Sequence, residues 1–309
     1  MKMSLRKNLK KIRWLRYIVR QIKKFFGYTP APYRQSTYFS LDAPTNNLKS
    51  IDKDDVIVVG SFESKQYLLK SAPKRLIENY AHFHGVWEPH NAELIHSILS
   101  KDCDGCVMVD IGANIGATTI PQAVNFPNVT FVCFEAHPTI YQRLKENISI
   151  NRLRNIKALN KAVTHQNSGK YVDFYAQDVT SENLGLSSLS LNIDIEDHQK
   201  IAVEAIGVDA FFSCDESKIV LIKIDTQGGE LEILRSATNT VLQHRPIIIF
   251  EFEERYHSNP RQQREALVSF FEENGYELYT IPNSKGVMYT VTFKGFFHVD
   301  VVAIPKMEV

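Results

Sequence analysis

Seven consecutive residues, Asp110-Ile111-Gly112-Ala113-Asn114-Ile115-Gly116, place an acid, an amide and two glycines in one turn. They follow an apolar run, Val107-Met108-Val109, and precede a helical pattern. Gly112 and Gly116 permit a tight turn and a close approach of backbone to ligand. A helix opening there presents free N–H groups. Nineteen residues after Gly116 a second apolar strand ends in Glu135. An acid at that strand end can accept hydrogen bonds from two ribose hydroxyls, so the two segments together specify a nucleoside site. The dinucleotide fingerprint is G-x-G-x-x-G; here the spacing is G-x-x-x-G, with Asn114 at the second glycine position. An aspartate facing the ligand repels a pyrophosphate and favours a cationic group such as that of S-adenosylmethionine. Two other readings stay open on these residues: an NAD-dependent oxidoreductase, and a non-catalytic partner-binding protein that retains the pocket.

The elements that must hold these residues alternate. Strands are predicted at Val107–Val109, Val129–Phe134, Ile156–Leu159, Ile219–Ile224 and Ile247–Phe252. Helical patterns lie to about 125, through Ile140, Leu144 and Ile148, from about Gly229 to Ser236, and over 262–273. Such alternation predicts an α/β fold, a mostly parallel seven-stranded sheet with helices on both faces. Tyr276–Ile281 and Phe296–Ile304 have no helix between them, which predicts an antiparallel C-terminal edge pair. Residues 161–218 are irregular, with strand candidates at 171–175 and 201–206 around a polar segment, and are expected to be an insertion that covers substrate.

The 44% apolar and 23% charged residues exclude wholesale disorder. Four Cys do not make a disulfide framework in a chain this long and point to a reducing compartment. Cys103-Asp104-Gly105-Cys106 has metal or redox spacing but no second such pair, so no metal site is expected. The net charge of +1 hides an asymmetry: residues 1–26 hold ten Lys or Arg and no acid, leaving 26 basic and 35 acidic residues in the rest. A +10 arm therefore precedes a −9 body, unlike a nucleic-acid binder. In the arm Leu5, Leu9, Ile12, Leu15, Val19, Ile22 and Phe26 form one helical stripe. A basic amphipathic helix of this kind suits an anionic membrane surface, or packs on protein. No apolar run is long enough for a signal peptide or a membrane span. The expected organisation is a helix over 1–26, a linker and N-terminal extension over 27–75 with a short strand at Val56–Val59, and a catalytic domain over 76–309. The expected location is the cytoplasm, peripheral on the inner membrane face.

Four segments resemble the FkbM family of S-adenosylmethionine-dependent methyltransferases: Trp87-Glu88-Pro89, Val109 to Gly116, Phe134-Glu135-Ala136-His137-Pro138, and Lys223-Ile224-Asp225-Thr226-Gln227-Gly228-Gly229-Glu230. Ser187-Ser188-Leu189 and Arg245 to Glu251 fit the same pattern. The resemblance implies a class I, Rossmann-like methyltransferase fold and O-methylation of a small-molecule or glycan acceptor, such as a sugar in a surface polysaccharide. It implies that Asp110, Gly112, Asn114 and Gly116 line the methionine and ribose side of the cofactor, that Glu135 holds the ribose, that Asn160 lies near the adenine, and that Glu88 joins the cofactor site. Asp225 would end a strand beside the transferred methyl group. Removal of the acceptor proton calls for a base, and Asp225, Glu230 and His257 are the candidates.

Overall fold

The computed structural model describes residues 38–39, 56–71, 84–100, 103–165, 169–177, 198–280 and 298–306, together with Ile77 and Ala81. The basic arm and Ser187-Ser188-Leu189 lie outside the described residues.

The alternation predicts the central layer well. Strands β4 (Val107–Ile111), β5 (Thr130–Phe134), β6 (Ile156–Leu159), β10 (Ile219–Ile224), β11 (Ile247–Glu253), β12 (Tyr276–Thr280) and β13 (His298–Pro305) form one seven-stranded sheet. Its order is β12-β13-β11-β10-β4-β5-β6. The β6-β5-β4-β10-β11 portion is parallel, and β13 pairs antiparallel with both β11 and β12. This is the class I methyltransferase sheet with its antiparallel C-terminal pair. The strand order reverses between β4 and β10, which opens a crevice at their carboxyl ends.

Both faces are covered, so every residue of β4 and β10 is buried. On one face Val109, Ile222, Ile224, Phe250 and Phe252 pack against helices α5 (Glu230–Ser236), α6 (Thr238–His244) and α7 (Pro260–Glu273). On the other, Met108, Leu221 and Ile249 meet α1 (Pro89–Leu99), α2 (Thr119–Asn125) and α3 (Pro138–Ile150). Pro89 stands at the start of α1, where its missing N–H costs nothing. Helix α2 opens three residues after Gly116, later than the pattern implies, because Gly116 has φ +88, outside the helical region.

The N-terminal extension holds more than the short strand expected there. β2 (Val56–Phe62) and β3 (Lys65–Ser71) form a hairpin joined by Glu63 and Ser64, both at positive φ, as a type I′ turn requires. A two-residue strand, β1 (Tyr38–Phe39), pairs with β2. Val58, Phe62, Tyr67 and Leu69 bury one face of the hairpin against Ala92, Ile120 and Ile140. The free edge of β3 is closed by two asparagines one helical turn apart. Asn151, which caps α3, accepts from Leu68 N and donates to Leu68 O; Asn147 accepts from Lys70 N. Their side chains do the work of another strand.

Between β6 and β10 lie β7 (Ala162–Val163), β8 (Tyr171–Gln177), β9 (His198–Ile206) and a one-turn helix, α4 (Val208–Phe211). β9 pairs antiparallel with β8 and parallel with β7. Both strand candidates of the irregular region are therefore real, joined into a small sheet with its own apolar cluster of Ala162, Phe174, Ala176 and Val203. Among the described residues no helix is long and apolar enough to cross a membrane.

Candidate functional site

The turn after β4 is held from two directions. Gly112 N and Ala113 N both donate to Phe134 O at the end of β5. Asp225 N donates to Ile111 O from the end of β10. Gly112 has φ +82, and a Cβ there would collide with the Asp225 carbonyl oxygen. Only glycine lets the three strand ends come this close. Asn114 follows at φ +51, a region that asparagine tolerates, and its side chain accepts from Ile115 N.

Glu135 ties two of these segments together. One carboxylate oxygen accepts from Asn114 N at 2.8 Å, the other from His137 N at 2.8 Å. Burial raises its pKa to about 7, while the two backbone donors oppose that rise. Each oxygen keeps a second lone pair, enough to accept two further hydroxyl donors. Asn160 donates to the carbonyls of Glu135 and Ala136, which fixes the chain after β5.

These residues surround a cavity of about 220 Å³ at the carboxyl ends of the strands. Of the residues expected in the site, Glu88, Gly112, Asn114, Glu135 and Asp225 line it. Asp110, Gly116, Asn160, Glu230 and His257 do not. Asp110 shares the strand parity of Met108, so it points to the α2 face and is fully buried beneath the cavity wall. Thr119 donates its hydroxyl to one Asp110 oxygen; the other finds no hydrogen-bond partner among the described residues. A side chain on Gly116 would strike Ile120 and Leu144, so this glycine serves packing of α2 on α3. Asn160 acts through the backbone it holds.

Asp225 sits half-buried on the cavity floor. Lys223, two residues earlier and buried, donates to it at 2.9 Å. Burial pushes the Asp225 carboxyl up, but the Lys223 ammonium and its hydrogen bond outweigh this and hold it below the usual range. Burial works against the Lys223 ammonium in turn, and the charges of Asp225, Asp110 and Glu88 more than restore it. Glu88, at the N-cap of α1 with φ 44, accepts from Asn91; burial lifts it to about 7.

Glu230 and His257 form a separate buried pair. Glu230 accepts from Gly228 N at 2.9 Å, and its other oxygen lies 3.5 Å from His257 Nε2. The imidazole stacks on Phe252 at 4.8 Å and 12°. Burial raises Glu230 to about 7 and lowers His257. His257, expected as a candidate base, is enclosed rather than open to the cavity. The two side chains pack against one another, without a hydrogen bond between the facing atoms, where the loop after β10 meets the loop after β11; both loops border the cavity through Thr226, Gln227 and Tyr256.

Sequence reasoning missed Glu251 and Glu253 on β11 and Arg255, Tyr256 and Phe174 as cavity residues. The signal for Glu251 was present: it follows four apolar residues of a buried strand, as Asp225 follows β10.

Among proteins with curated descriptions, "Methyltransferase 1" of Beauveria bassiana (strain ARSEF 2860) is 22% identical over 148 residues. The match takes in 43% of this chain and 58% of that relative, so the chain spans less than two thirds of its length. Among solved structures, the FkbM methyltransferase from Methylobacillus flagellatus KT aligns with a TM-score of 0.44 at 14% identity, over 74% of this chain and 52% of that one. M. jannaschii TYW2 in complex with AdoMet aligns with a TM-score of 0.39 at 17% identity, over 87% and 92%. The family model of the methyltransferase FkbM domain matches residues 110–278, more than half of the 309 residues, and it begins at the turn and includes Glu135 and Asp225, the acids that follow β5 and β10. A nicotinamide-dependent oxidoreductase is thereby set aside: the chain belongs to the FkbM family of S-adenosylmethionine-dependent methyltransferases.

Proposed function

We propose that this methyltransferase acts on a hydroxyl of a sugar in a surface glycan or a glycoconjugate precursor. The observation that carries this reading is that Asp225 lines the same cavity as Gly112, Asn114 and Glu135. A carboxylate at the strand end, in the cavity suited to a nucleoside, is placed to orient and deprotonate an acceptor hydroxyl. The residues present fit the cofactor. Glu135 has two lone pairs free for a ribose diol, and the carboxylates at the other end of the cavity suit a cationic sulfonium. When bound, the cofactor supplies an electrophilic methyl group.

The rest is the work of the chain's own side chains. Gly112 and Asn114 shape the wall against the nucleoside. Glu88 and Asp225 give the floor its negative charge. Trp87 and Tyr256, both on the cavity, offer faces on which a sugar ring can lie. The sheet β7–β9 contributes Ala162, Val163 and Phe174 to the cavity and covers it from one side. Glu230 and His257 act as positioning residues for the two loops between which they pack. The basic arm holds the enzyme on an anionic membrane surface near lipid-linked acceptors.

The direct test is mass spectrometry of surface polysaccharide from cells with and without the gene. Loss of one methylene mass from a sugar supports the reading; identical spectra reject it. In the purified protein, Asp225→Asn keeps size and removes the basic carboxylate, so turnover should fall by about 10²–10⁴-fold with cofactor affinity held within a few-fold. Full turnover in this variant would remove Asp225 from the chemistry.

A further inference from the structure

Asp225 follows β10 directly and Glu251 lies within the neighbouring parallel strand β11, their register continuing the pairs Lys223 with Ile249 and Ile224 with Phe250. Both side chains line the cavity, at positions that are adjacent across the two strands. An ionised carboxylate only accepts. Two carboxyl groups side by side in one cavity resist double ionisation, and holding one proton between them relieves that repulsion. The surroundings favour keeping it. Asp110 of β4, Glu88 before α1 and Asp300 of β13 add negative charge around the pair, and Glu253 and Tyr256 follow Glu251 on its own strand and the turn beyond. Against these acids stands Lys223, whose ammonium is already bound to Asp225; Lys161 and Arg255 also line the cavity, but they are paired with Glu204 and Glu253. Among the described residues the floor of the cavity thus has more acid than base, and a proton on the pair offsets the excess.

We propose that the Asp225–Glu251 pair is a proton store matched to the charge of the cofactor. It gives up its proton when cationic S-adenosylmethionine enters the cavity, and it recovers one from the acceptor hydroxyl during transfer. The balance closes. A bond forms between the acceptor oxygen and the methyl carbon, and the carbon–sulfur bond breaks with its electron pair left on sulfur. The hydroxyl proton passes to the carboxyl pair. The cavity loses the sulfonium charge in the same event, so the pair returns to its protonated state as the neutral thioether product leaves. Burial and the neighbouring acids lift Glu251 to about 10 before the cation enters, so the store is full at neutral pH.

The inference rests on the cofactor occupying this cavity, and the test separates the two. Calorimetric titration of the full chain at pH 8, in buffers of different ionisation enthalpy, counts protons released on binding. S-adenosylmethionine should release close to one proton more than S-adenosylhomocysteine, which shares every group except the charged sulfur. In Glu251→Gln, which keeps the size of the side chain and an amide beside Asp225 but cannot ionise, the difference should vanish while the ligand still binds. Equal proton counts for the two ligands in the wild-type protein, or a difference that survives in Glu251→Gln, would overturn the proposal. A measurement on the unaltered chain guards against a misfolded variant. The affinity ratio of the two ligands should rise about tenfold per pH unit between about pH 7 and 9, the linkage expected for one proton; a flat ratio rejects it. If instead Glu135→Ala leaves binding of both ligands unchanged, the cofactor lies elsewhere and the placement itself is wrong.

Discussion

Glu135 shows how one side chain can be both scaffold and ligand. Its carboxylate is the acceptor for two backbone N–H groups from different loops, so Glu135→Ala strands Asn114 N and His137 N as well as removing the ribose acceptor. Charge-assisted hydrogen bonds are worth roughly 1.5–3 kcal/mol each. S-adenosylhomocysteine affinity, read by calorimetry, should fall at least about tenfold, with a loss of stability of about 1–3 kcal/mol from the orphaned donors. Unchanged affinity in a folded variant would reject the assignment. The Glu230–His257 pair makes a prediction of different sign. Glu230 has its carboxyl raised by burial from 4.5 to about 7, so its favourable contribution is complete below about 4.5 and is lost as pH rises through 7. His257 is lowered by burial, and its linkage runs the other way, with stability lost as pH falls below its unfolded value. Glu230→Gln removes the first contribution only. Relative to that variant, wild-type stability in urea should decline as pH rises from 5 towards 8, by about 1.4 kcal/mol for each pH unit crossed below the folded value. A constant difference would mean that the buried carboxyl does not titrate. Neither pairing was legible in the sequence. Glu230 and His257 are separated by an entire helix pair and strand, and a lone loop histidine gives no sign of the phenyl ring beneath it.

At the level of elements, the hairpin is wired to the cavity through one carbonyl. Gly85 O accepts from Ser61 N at 3.0 Å and from the Tyr67 hydroxyl at 2.8 Å. Val86, Trp87 and Glu88 follow directly, and the last two reach the cavity. Gly60 lies beneath the Tyr67 ring, with no room for a Cβ. Gly60→Ala must therefore push Tyr67 away, costing about 1–3 kcal/mol by overpacking and shifting Trp87 and Glu88. Urea unfolding should show the loss, and calorimetry should show weaker cofactor binding. Tyr67→Phe keeps the ring and should cost only about 1 kcal/mol. If Gly60→Ala is as stable as wild type, the tight packing is not a constraint. The parallel sheet, its helices and the antiparallel pair were legible because buried strands read as short apolar runs and helices as a 3.6-residue period. The hairpin was legible only as one short strand, since what completes it is a pair of asparagines on α3 that no local pattern links to β3. The direction of Asp110 was lost for a related reason. The turn motif specifies that an acid ends the strand, while the strand's parity decides which face receives it.

For the whole chain, the separation of charge is the dominant feature: ten cations in residues 1–26 ahead of a body with a formal charge of −9. Deleting residues 1–26 should release the protein from anionic vesicles and leave the thermal unfolding of the remainder intact. Each Lys or Arg near such a surface contributes about 1 kcal/mol, and the attraction should fade as salt rises. Full-length protein that ignores anionic vesicles at low salt would leave the arm as a helix that packs on protein. The asparagines that close β3 also impose an order of events. Leu68 is bonded to Asn151, 83 residues further along the chain. A ribosome adding about 5–20 residues per second needs roughly 4–17 s to synthesise that stretch. Until then the edge of β3 stays open, and the cover over Val58, Phe62 and Leu69 is incomplete, since Ala92 of α1 and Ile120 of α2 are made before Ile140 of α3. The N-terminal extension is thus the first part of the described fold to be synthesised and among the last to be secured, because the edge of β3 waits for Asn147 and Asn151.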